Sequence, residues 1–429
     1  MKKIFALVLL CFLVMGNSLA FAENEPVPAS ESAILLDFNT GRVLFSKNPD
    51  AKLYPASTTK IMTGILAIEN LNMDTVVSIS QTAIDVDRDG SNMGLLWNEE
   101  ISLLDLTYGL LVHSANDAAN ALAENVSGSI DEFVVLMNKK AAELGMTNTN
   151  FVNTHGYHND NHYTTAKDLS ILCRYAMQNA LFRQIVATPQ YQIAPTNKYD
   201  EIRYMTSNNA LINPNKGRTY LYSAAQGIKT GHTSVAGACF TCYAERDNMR
   251  LITVTMKAPS SGDSFKDTIA LMEYGFNNYK FTEIAKTTDV VATREIKWAS
   301  GDSHRIIYVT SPVTALIPKN YNAEKLTKEF TLPDEIKAPV KAGTVLGEIK
   351  YFYDGEEVGS ASLTITEDVK RSFFKMIFGT LIKWLVNMWV IIPLGIIVVF
   401  LLIKRAIAIK KAEEMRRRRK NSNRRNFYR

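Results

Sequence analysis

Apolar residues in the first two thirds of the chain recur at two spacings. Ile61 and Ile65 indicate a helix by their separation of four positions. Ser102, with Asp105 three residues later, predicts the capped start of a second helix, and a third is predicted from near Asn116. Strands are predicted at 32–37, 42–46, 226–232, 238–244 and 250–256, and a further helix at 264–278. We therefore predict one domain of strands and helices over residues 27–278.

The pattern changes near residue 280, where short runs of alternating apolar and polar residues replace the helical spacing. These runs predict strands at 290–298, 305–310, 313–317, 344–353 and 360–366. Asp354-Gly355 is typical of a tight hairpin turn. The sequence therefore predicts a small all-β domain over 281–369. It contains no cluster of catalytic side chains, so we interpret it as a spacer.

Both ends of the chain carry long apolar runs. Lys2 and Lys3 precede an apolar run over 4–15 and then Ala20-Phe21-Ala22, which together predict a signal peptide over residues 1–22. Near the other end, residues 384–403 carry no charge and as a helix would cover about 30 Å, the thickness of the hydrocarbon layer of a bilayer. A transmembrane helix is predicted there, after an amphipathic lead-in at 370–383.

The charge of the chain is unevenly distributed. The formal net charge is +5, but 12 basic and two acidic side chains lie from Lys404 onward. The rest of the chain is therefore acidic, which argues against a nucleic-acid partner. By the positive-inside rule, 404–429 is predicted to be a cytoplasmic tail and the domains to lie outside a cell membrane that the chain crosses once. The tail either contacts anionic lipid head groups or serves only as a topology signal.

Removal of the signal peptide leaves three cysteines: Cys173, Cys239 and Cys242. An odd number argues against a full disulfide framework. Cys239 and Cys242 have the spacing of a redox motif, but they lie in a predicted strand, where residues three apart face opposite sides. Structural thiols are therefore favoured over redox or metal chemistry.

Candidate chemistry begins at Ser57-Thr58-Thr59-Lys60, which follows Pro55. If Ser57 lies in the first turn of a helix, Lys60 shares its face, so the amine can reach the hydroxyl. A serine hydroxyl needs an adjacent base to act as a nucleophile, and a lysine can be that base once burial or a nearby cation lowers its pKa. Taken alone, the pattern is weak, because it often arises by chance and is most often an exposed helix start.

Two further polar clusters follow. Ser114 and Asn116 lie between two predicted helices, where such residues are most often caps. Lys229-Thr230-Gly231 lies on a predicted strand, and the glycine lets the backbone of a ligand approach the strand edge. Each cluster alone is a weak indication of function.

Together and in this order, the three clusters resemble the signature of penicillin-recognising serine enzymes. Their spacing is similar to that of D-alanyl-D-alanine carboxypeptidases, the low-molecular-mass penicillin-binding proteins. The likeness covers residues 29–369, and Ala115 stands where the family usually has glycine, a change we expect to be tolerated. Further runs that resemble the family are 54–63, 114–118, 162–166, 229–233 and 341–344.

The resemblance implies a three-layer α/β (α+β) domain with a five-stranded antiparallel sheet, followed by a β-rich domain. It implies that Ser57, Lys60 and Ser114 are catalytic. The substrate-binding residues that it implies are Asn116, Lys229, Thr230, Gly231 and His232. The implied partners are peptidoglycan stem peptides ending in D-Ala-D-Ala, with β-lactams as covalent inhibitors, and no metal or other cofactor is implied.

Three alternatives share this fold. A β-lactamase needs a group that activates water on the acyl-enzyme, often a glutamate, but 149–165 contains only one acid, Asp160. A membrane-tethered wall-binding protein would not need the complete set of side chains. A transpeptidase would use the same acyl-enzyme with an amine acceptor in place of water.

Overall fold

The structure, a computed structural model, describes residues 25–87 and 89–425. The predicted signal peptide at 1–22 lies outside the described residues. The described chain divides into two compact units. The first comprises the residues up to Glu283 with Thr314–Thr327 and Tyr351–Gly359, and the second comprises Ile284–Val313, Lys328–Lys350 and the residues from Ser360 onward.

The first unit is built on an antiparallel sheet of five strands in the order β2-β1-β9-β8-β7. β7 therefore lies at one edge of the sheet, where half of its backbone groups are free to pair with a ligand. The strands are β1 (Ser32–Asp37), β2 (Val43–Lys47), β7 (Lys229–Thr233), β8 (Gly237–Arg246) and β9 (Met249–Ala258), and two small hairpins pair β3 (Val76–Ser78) with β4 (Glu100–Ser102) and β5 (Gln190–Ile193) with β6 (Arg203–Thr206).

Helices cover both faces of this sheet, because its strands are apolar on both sides. In β1, Ile34 packs in one buried cluster and Leu35 in the other. One face carries α1 (Lys60–Asn70), α2 (Leu103–Tyr108), α3 (Asn116–Ser127), α4 (Ile130–Glu143), α5 (Ala166–Ala176) and α6 (Ala180–Val186); the other carries α7 (Ser261–Asn278). The three-layer fold with a five-stranded antiparallel sheet is thus confirmed.

Local sequence explains how α2 begins but not how α3 begins. The Ser102 side chain accepts a hydrogen bond from the Asp105 backbone N–H at 3.0 Å, so the predicted cap is confirmed. Instead of continuing regularly, α2 ends in a turn of π-helix at Gly109–His113. The cap residue of α3 is Ala115, and its side chain offers no hydrogen bond.

The cysteines are buried, free thiols. Cys239 packs in the cluster on the α1 face of the sheet, and Cys242 packs in the cluster on the α7 face. Burial raises the pKa of the Cys239 thiol to about 11, which makes it a poor nucleophile. The expectation that these two side chains point to opposite faces is confirmed.

The chain from Tyr279 to Thr364 is dominated by strands, as predicted. Six of them form a sheet in the order β14-β16-β17-β12-β11-β15, in which β11 and β15 are parallel. The strands are β10 (Tyr279–Ala285), β11 (Val290–Lys297), β12 (His304–Val309), β13 (Val313–Pro318), β14 (Leu326–Thr331), β15 (Ile336–Lys337), β16 (Gly347–Tyr353) and β17 (Glu356–Thr364).

The chain ends in a long helix, α8 (Phe373–Arg425), which contains Pro393. Among the described residues, one helical stretch, Ile391–Arg418, is long and apolar enough to cross a membrane, and none of its most apolar part is buried in the protein. The span predicted at 384–403 lies within α8. This apolar helix is a candidate membrane anchor.

Candidate active site

Ser57 lies in a single turn of 3₁₀ helix, Ala56–Thr59, that leads directly into α1. This turn packs closely against β7. A Cβ atom at position 231 would lie 2.9 Å from the Ser57 nitrogen, so only glycine allows this approach. Gly231 therefore sets the separation between the strand and the turn that carries the hydroxyl.

Lys60 is completely buried, one turn after Ser57. Its Nζ lies 3.0 Å from Ser57 Oγ, 2.7 Å from Asn116 Oδ1 and 2.9 Å from the His155 carbonyl oxygen. Burial, reinforced by the charge of Lys229, holds the pKa of Lys60 well below its ordinary value, although Asp117 opposes the shift. The structure thus favours a neutral amine beside the hydroxyl.

The three neighbours of Lys60 decide how a neutral amine is oriented. Such an amine has two N–H donors and one lone pair. The Asn116 and His155 carbonyl oxygens can only accept hydrogen bonds, so they take the two donors. The lone pair is then left for Ser57, whose hydroxyl donates to it. This is the arrangement that a general base needs.

Lys229 is buried behind the strand edge rather than exposed in the site. Its Nζ donates to the Thr230 carbonyl oxygen at 3.0 Å. Burial lowers the pKa of Lys229 to about 7. Thr230 and Gly231 line the cavity beside Ser57, whereas Lys229 does not contribute to its wall. The charge of Lys229 nevertheless reaches the site, because it contributes to the lowered pKa of Lys60.

Ser114 follows the π-helical turn with a φ of 71°, in the left-handed region that serine seldom adopts. Its side chain forms part of the cavity wall that also includes Ser57. Ser114 is the C-cap of this turn, through a hydrogen bond from its backbone N–H to the Gly109 carbonyl oxygen, whereas the N-cap of α3 is Ala115. Ala115 has a φ of −65° and a ψ of 127°, which any L-residue adopts, so the backbone does not require glycine there.

Sequence reasoning missed the loop that covers Asn116. The Asn116 backbone N–H donates to the Ser91 carbonyl oxygen at 2.7 Å. Buried Asp117 accepts hydrogen bonds from the Met93 and Leu95 N–H groups at 3.1 and 3.0 Å. The acidic residue in the first turn of α3 was the available signal.

Sequence reasoning predicted a loop around His155 but missed its contact with Lys60. Gly156 has a φ of 85°, and a Cβ atom there would lie 1.8 Å from the Ala56 carbonyl oxygen, so glycine is required. Nearby, the Val152 N–H donates to His162 Nδ1 at 3.2 Å, so the ring proton is on Nε2, which donates to Thr59 Oγ1 at 2.9 Å. This buried pair supports the turn that holds Ser57.

Two cavities meet at Ser57, and their walls share Ser57, Ser91 and His232. The first cavity has a volume of about 290 Å³ and is lined also by Ser114, Asn208, Thr230, Gly231 and Ser264. The second has a volume of about 490 Å³ and is lined also by Asp89, Asn116, Tyr157, Thr233 and Val235. Of the eight candidate site residues, seven either line one of the two cavities or contact the Ser57 hydroxyl. The eighth, Lys229, lines neither cavity.

Comparison with known families agrees with this geometry. A family model for D-alanyl-D-alanine carboxypeptidases matches residues 19–260. The chain belongs to the D-alanyl-D-alanine carboxypeptidase family. A second family model, for the C-terminal domain of penicillin-binding protein 5, matches residues 279–371.

Relatives in this family cover nearly the whole chain. D-alanyl-D-alanine carboxypeptidase DacF of Bacillus subtilis is 31% identical over 387 residues, which is 87% of this chain and 96% of that protein. DacA of Haemophilus influenzae is 30% identical, and the aligned region covers 87% of this chain and 93% of that protein. Both are named for the activity that the motifs predicted.

Solved structures of the family have the same fold. Penicillin-binding protein 5 from Haemophilus influenzae superimposes with a TM-score of 0.65 at 28% identity, over 81% of this chain and 99% of its own. The Streptomyces K15 DD-transpeptidase gives a TM-score of 0.55 at 30% identity, over 59% of this chain and 99% of its own. The resemblance inferred from the three motifs is therefore confirmed.

Proposed function

We propose that Ser57 is the nucleophile with which this serine D-Ala-D-Ala carboxypeptidase removes the terminal D-alanine from peptidoglycan stem peptides. The supporting observation is the placement of a buried amine, Lys60, 3.0 Å from the Ser57 hydroxyl. Loss of the terminal D-alanine removes the bond whose cleavage drives cross-linking, so the reaction limits cross-linking. Fluorescent penicillin labelling of the wild type beside Ser57→Ala tests the assignment.

Acylation would proceed by attack of Ser57 Oγ on the carbonyl carbon of the penultimate D-alanine. Lys60 takes the hydroxyl proton as the new C–O bond forms. The backbone N–H groups of Ser57 and His232 would stabilise the oxyanion, each contributing a few kcal/mol by analogy with other acyl-transfer enzymes. Both residues line the two cavities at their junction.

Departure of the leaving group needs a proton on its nitrogen. Ser114 faces the same cavity as Ser57, and we assign it the transfer of the proton from Lys60 to the leaving D-alanine. The C–N bond then breaks and leaves an ester on Ser57. Water attacks this ester, with Lys60 again as the base, and releases the shortened peptide.

The remaining polar residues would hold the substrate. Thr230 contacts the first cavity and is assigned the terminal carboxylate, with the positive field of Lys229 behind it. Asn116 Oδ1 accepts a hydrogen bond from Lys60. Its Nδ2 group is therefore assigned to the peptide amide group of the substrate. Gly231 leaves room for that peptide along the edge of β7.

Benzylpenicillin will acylate Ser57, and the resulting acyl-enzyme will be hydrolysed slowly. The loop at 149–165 lacks a glutamate that could activate water on the acyl-enzyme, and its one acid, Asp160, is exposed and lies beside His158. We therefore expect a stable acyl-enzyme, visible as a mass increase equal to one intact penicillin. Release within seconds, measured as steady hydrolysis of the β-lactam ring, would instead favour the β-lactamase alternative.

We also propose that α8 anchors the protein, with the enzyme domain outside the cell membrane and 404–429 in the cytoplasm. The support is the apolar stretch within α8 together with the 12 basic side chains from Lys404 onward. In sealed right-side-out membrane vesicles, trypsin should leave the basic tail intact until detergent is added. Cleavage of the tail before the detergent step would refute this orientation.

A further inference from the structure

A second set of polar side chains lies one helical turn beyond the groups that hold Lys60. Thr63 follows Lys60 by three positions in α1, and Asn120 follows Asn116 by four positions in α3. Side chains three or four positions apart lie on the same face of a helix. The two helices therefore continue the polar face of the active site into the interior of the protein.

A third residue, Thr154, joins these two side chains. The Thr63 hydroxyl donates a hydrogen bond to the Thr154 carbonyl oxygen, and the Thr154 hydroxyl donates to Asn120 Oδ1 at 2.6 Å. All three residues are buried. We call Thr63, Asn120 and Thr154 the second polar layer. It ties the loop that carries Thr154 to both helices at once.

The second polar layer does not contact the amine of Lys60. In the described chain, the hydrogen bonds of Lys60 Nζ all go to other residues. The layer instead holds neighbours of the two carbonyl oxygens that accept from this amine. Thr154 directly precedes His155, and Asn120 lies one turn after Asn116. Because a peptide unit is planar and a helical turn has fixed dimensions, the layer restricts where both oxygens can lie.

The kind of contact matters for this role. Apolar packing is non-directional, so it would hold α1 against α3 without fixing the orientation of a carbonyl group. Hydrogen bonds constrain both distance and angle. A buried acceptor that loses its donor also raises the free energy of the folded state. The second polar layer is therefore suited to keeping one arrangement of the loop and the two helices.

We propose that the second polar layer positions the general base of the reaction. It fixes the two carbonyl oxygens that accept from Lys60, so that the lone pair of the amine stays directed at Ser57. The inference rests on the proposed function, since it takes Ser57 as the nucleophile and Lys60 as its base. No member of the layer lines either cavity at Ser57. Its effect should therefore be on proton transfer and not on the binding of substrate.

The expected loss is smaller than that from removing the base itself. A positioned general base contributes about 100- to 10,000-fold to a rate, and misplacement of a catalytic group by about 1 Å can cost about 100-fold. A variant that loosens the layer keeps the amine but not its orientation. We therefore expect the acylation rate constant to fall by about 10- to 100-fold.

The test replaces one hydroxyl at a time by a methyl group of similar size, in Thr154→Val and in Thr63→Val. Saturation kinetics of acylation by benzylpenicillin, on the full-length protein in detergent micelles, separate the acylation rate constant from the dissociation constant of the initial complex. Both variants should lower the rate constant and leave the dissociation constant unchanged. Thr154→Ser and Thr63→Ser keep the hydroxyl and should restore the wild-type rate constant.

Thr268→Val is the matched control. Thr268 is a buried threonine of α7, on the other face of the sheet, and its hydroxyl has no hydrogen-bond partner among the described residues. This variant should keep both constants. Thermal unfolding is measured on every variant, because the two valine variants in the layer each lose a buried hydrogen bond and should unfold at a lower temperature.

The kinetic and thermal readouts separate positioning from mere stabilisation of the fold. A folded valine variant with a lower unfolding temperature but an unchanged acylation rate constant would overturn the inference, as would serine variants as slow as the valine ones. If one valine variant does not fold, the other decides, because the two remove different hydrogen bonds. Absence of acylation in the wild type would instead overturn the proposed function, and this inference with it.

Discussion

Replacing Ser57 by alanine will abolish both D-alanine release and penicillin labelling. The substitution removes the hydroxyl that donates to Lys60, and among the described residues no other hydroxyl has a hydrogen bond to this amine. Loss of the nucleophile in other serine peptidases lowers kcat by about 10⁶-fold, so we expect at least a 10,000-fold loss, again as an order of magnitude. The measurement is D-alanine release from a D-Ala-D-Ala peptide, with gel fluorescence after labelling.

The control is a serine far from the site. Ser127 ends α3 and touches neither cavity, so Ser127→Ala should keep full activity and labelling. Ser57→Ala should also keep the thermal stability of the wild type, because the half-buried hydroxyl is replaced by a smaller group. If Ser57→Ala still released D-alanine, the wall-binding alternative would be strengthened and the assignment of the nucleophile would be wrong.

Replacing Lys60 by methionine will lower the rate of acylation by about 1,000-fold, the usual contribution of a positioned general base. Methionine has nearly the length of lysine and no charge, so the buried space around it stays filled. The rate should be measured with benzylpenicillin, because β-lactam acylation isolates the first chemical step. Lys139→Met, at an exposed position on α4, is the matched control and should leave the rate unchanged.

The pH dependence gives a second readout of Lys60. Its pKa is lowered, and its neutral form is the active one, so acylation should fall as pH drops through that pKa. Lys229 contributes to the lowering by its positive charge. Lys229→Gln should therefore raise the pKa of Lys60 and move the acidic limb to higher pH. An acidic limb that stays in place in this variant would contradict a neutral Lys60 set by its neighbours.

Much of the fold could be read from local pattern. β1 and β9 are apolar on both faces, and the Ser102 cap of α2 depends on residues adjacent in the chain. Such features follow from hydrophobic periodicity and capping, which operate over a few residues. The π-helical turn at Gly109–His113, which ends at Ser114, carries no comparable local signal.

The site, like the fold, has features that the sequence predicts and features that depend on the tertiary structure. The sequence by itself determined the fold class and the family, and it predicted the residues proposed to bear the chemistry, because the three polar clusters keep a characteristic order and spacing. Only the tertiary structure decided that Asn116 and His155 orient the amine of Lys60, that Lys229 acts from behind the strand, and that Asp89 faces the second cavity. The reason is physical: the direction of a lone pair, the desolvation of a charge and the shape of a cavity depend on groups that are distant along the chain and adjacent only after folding.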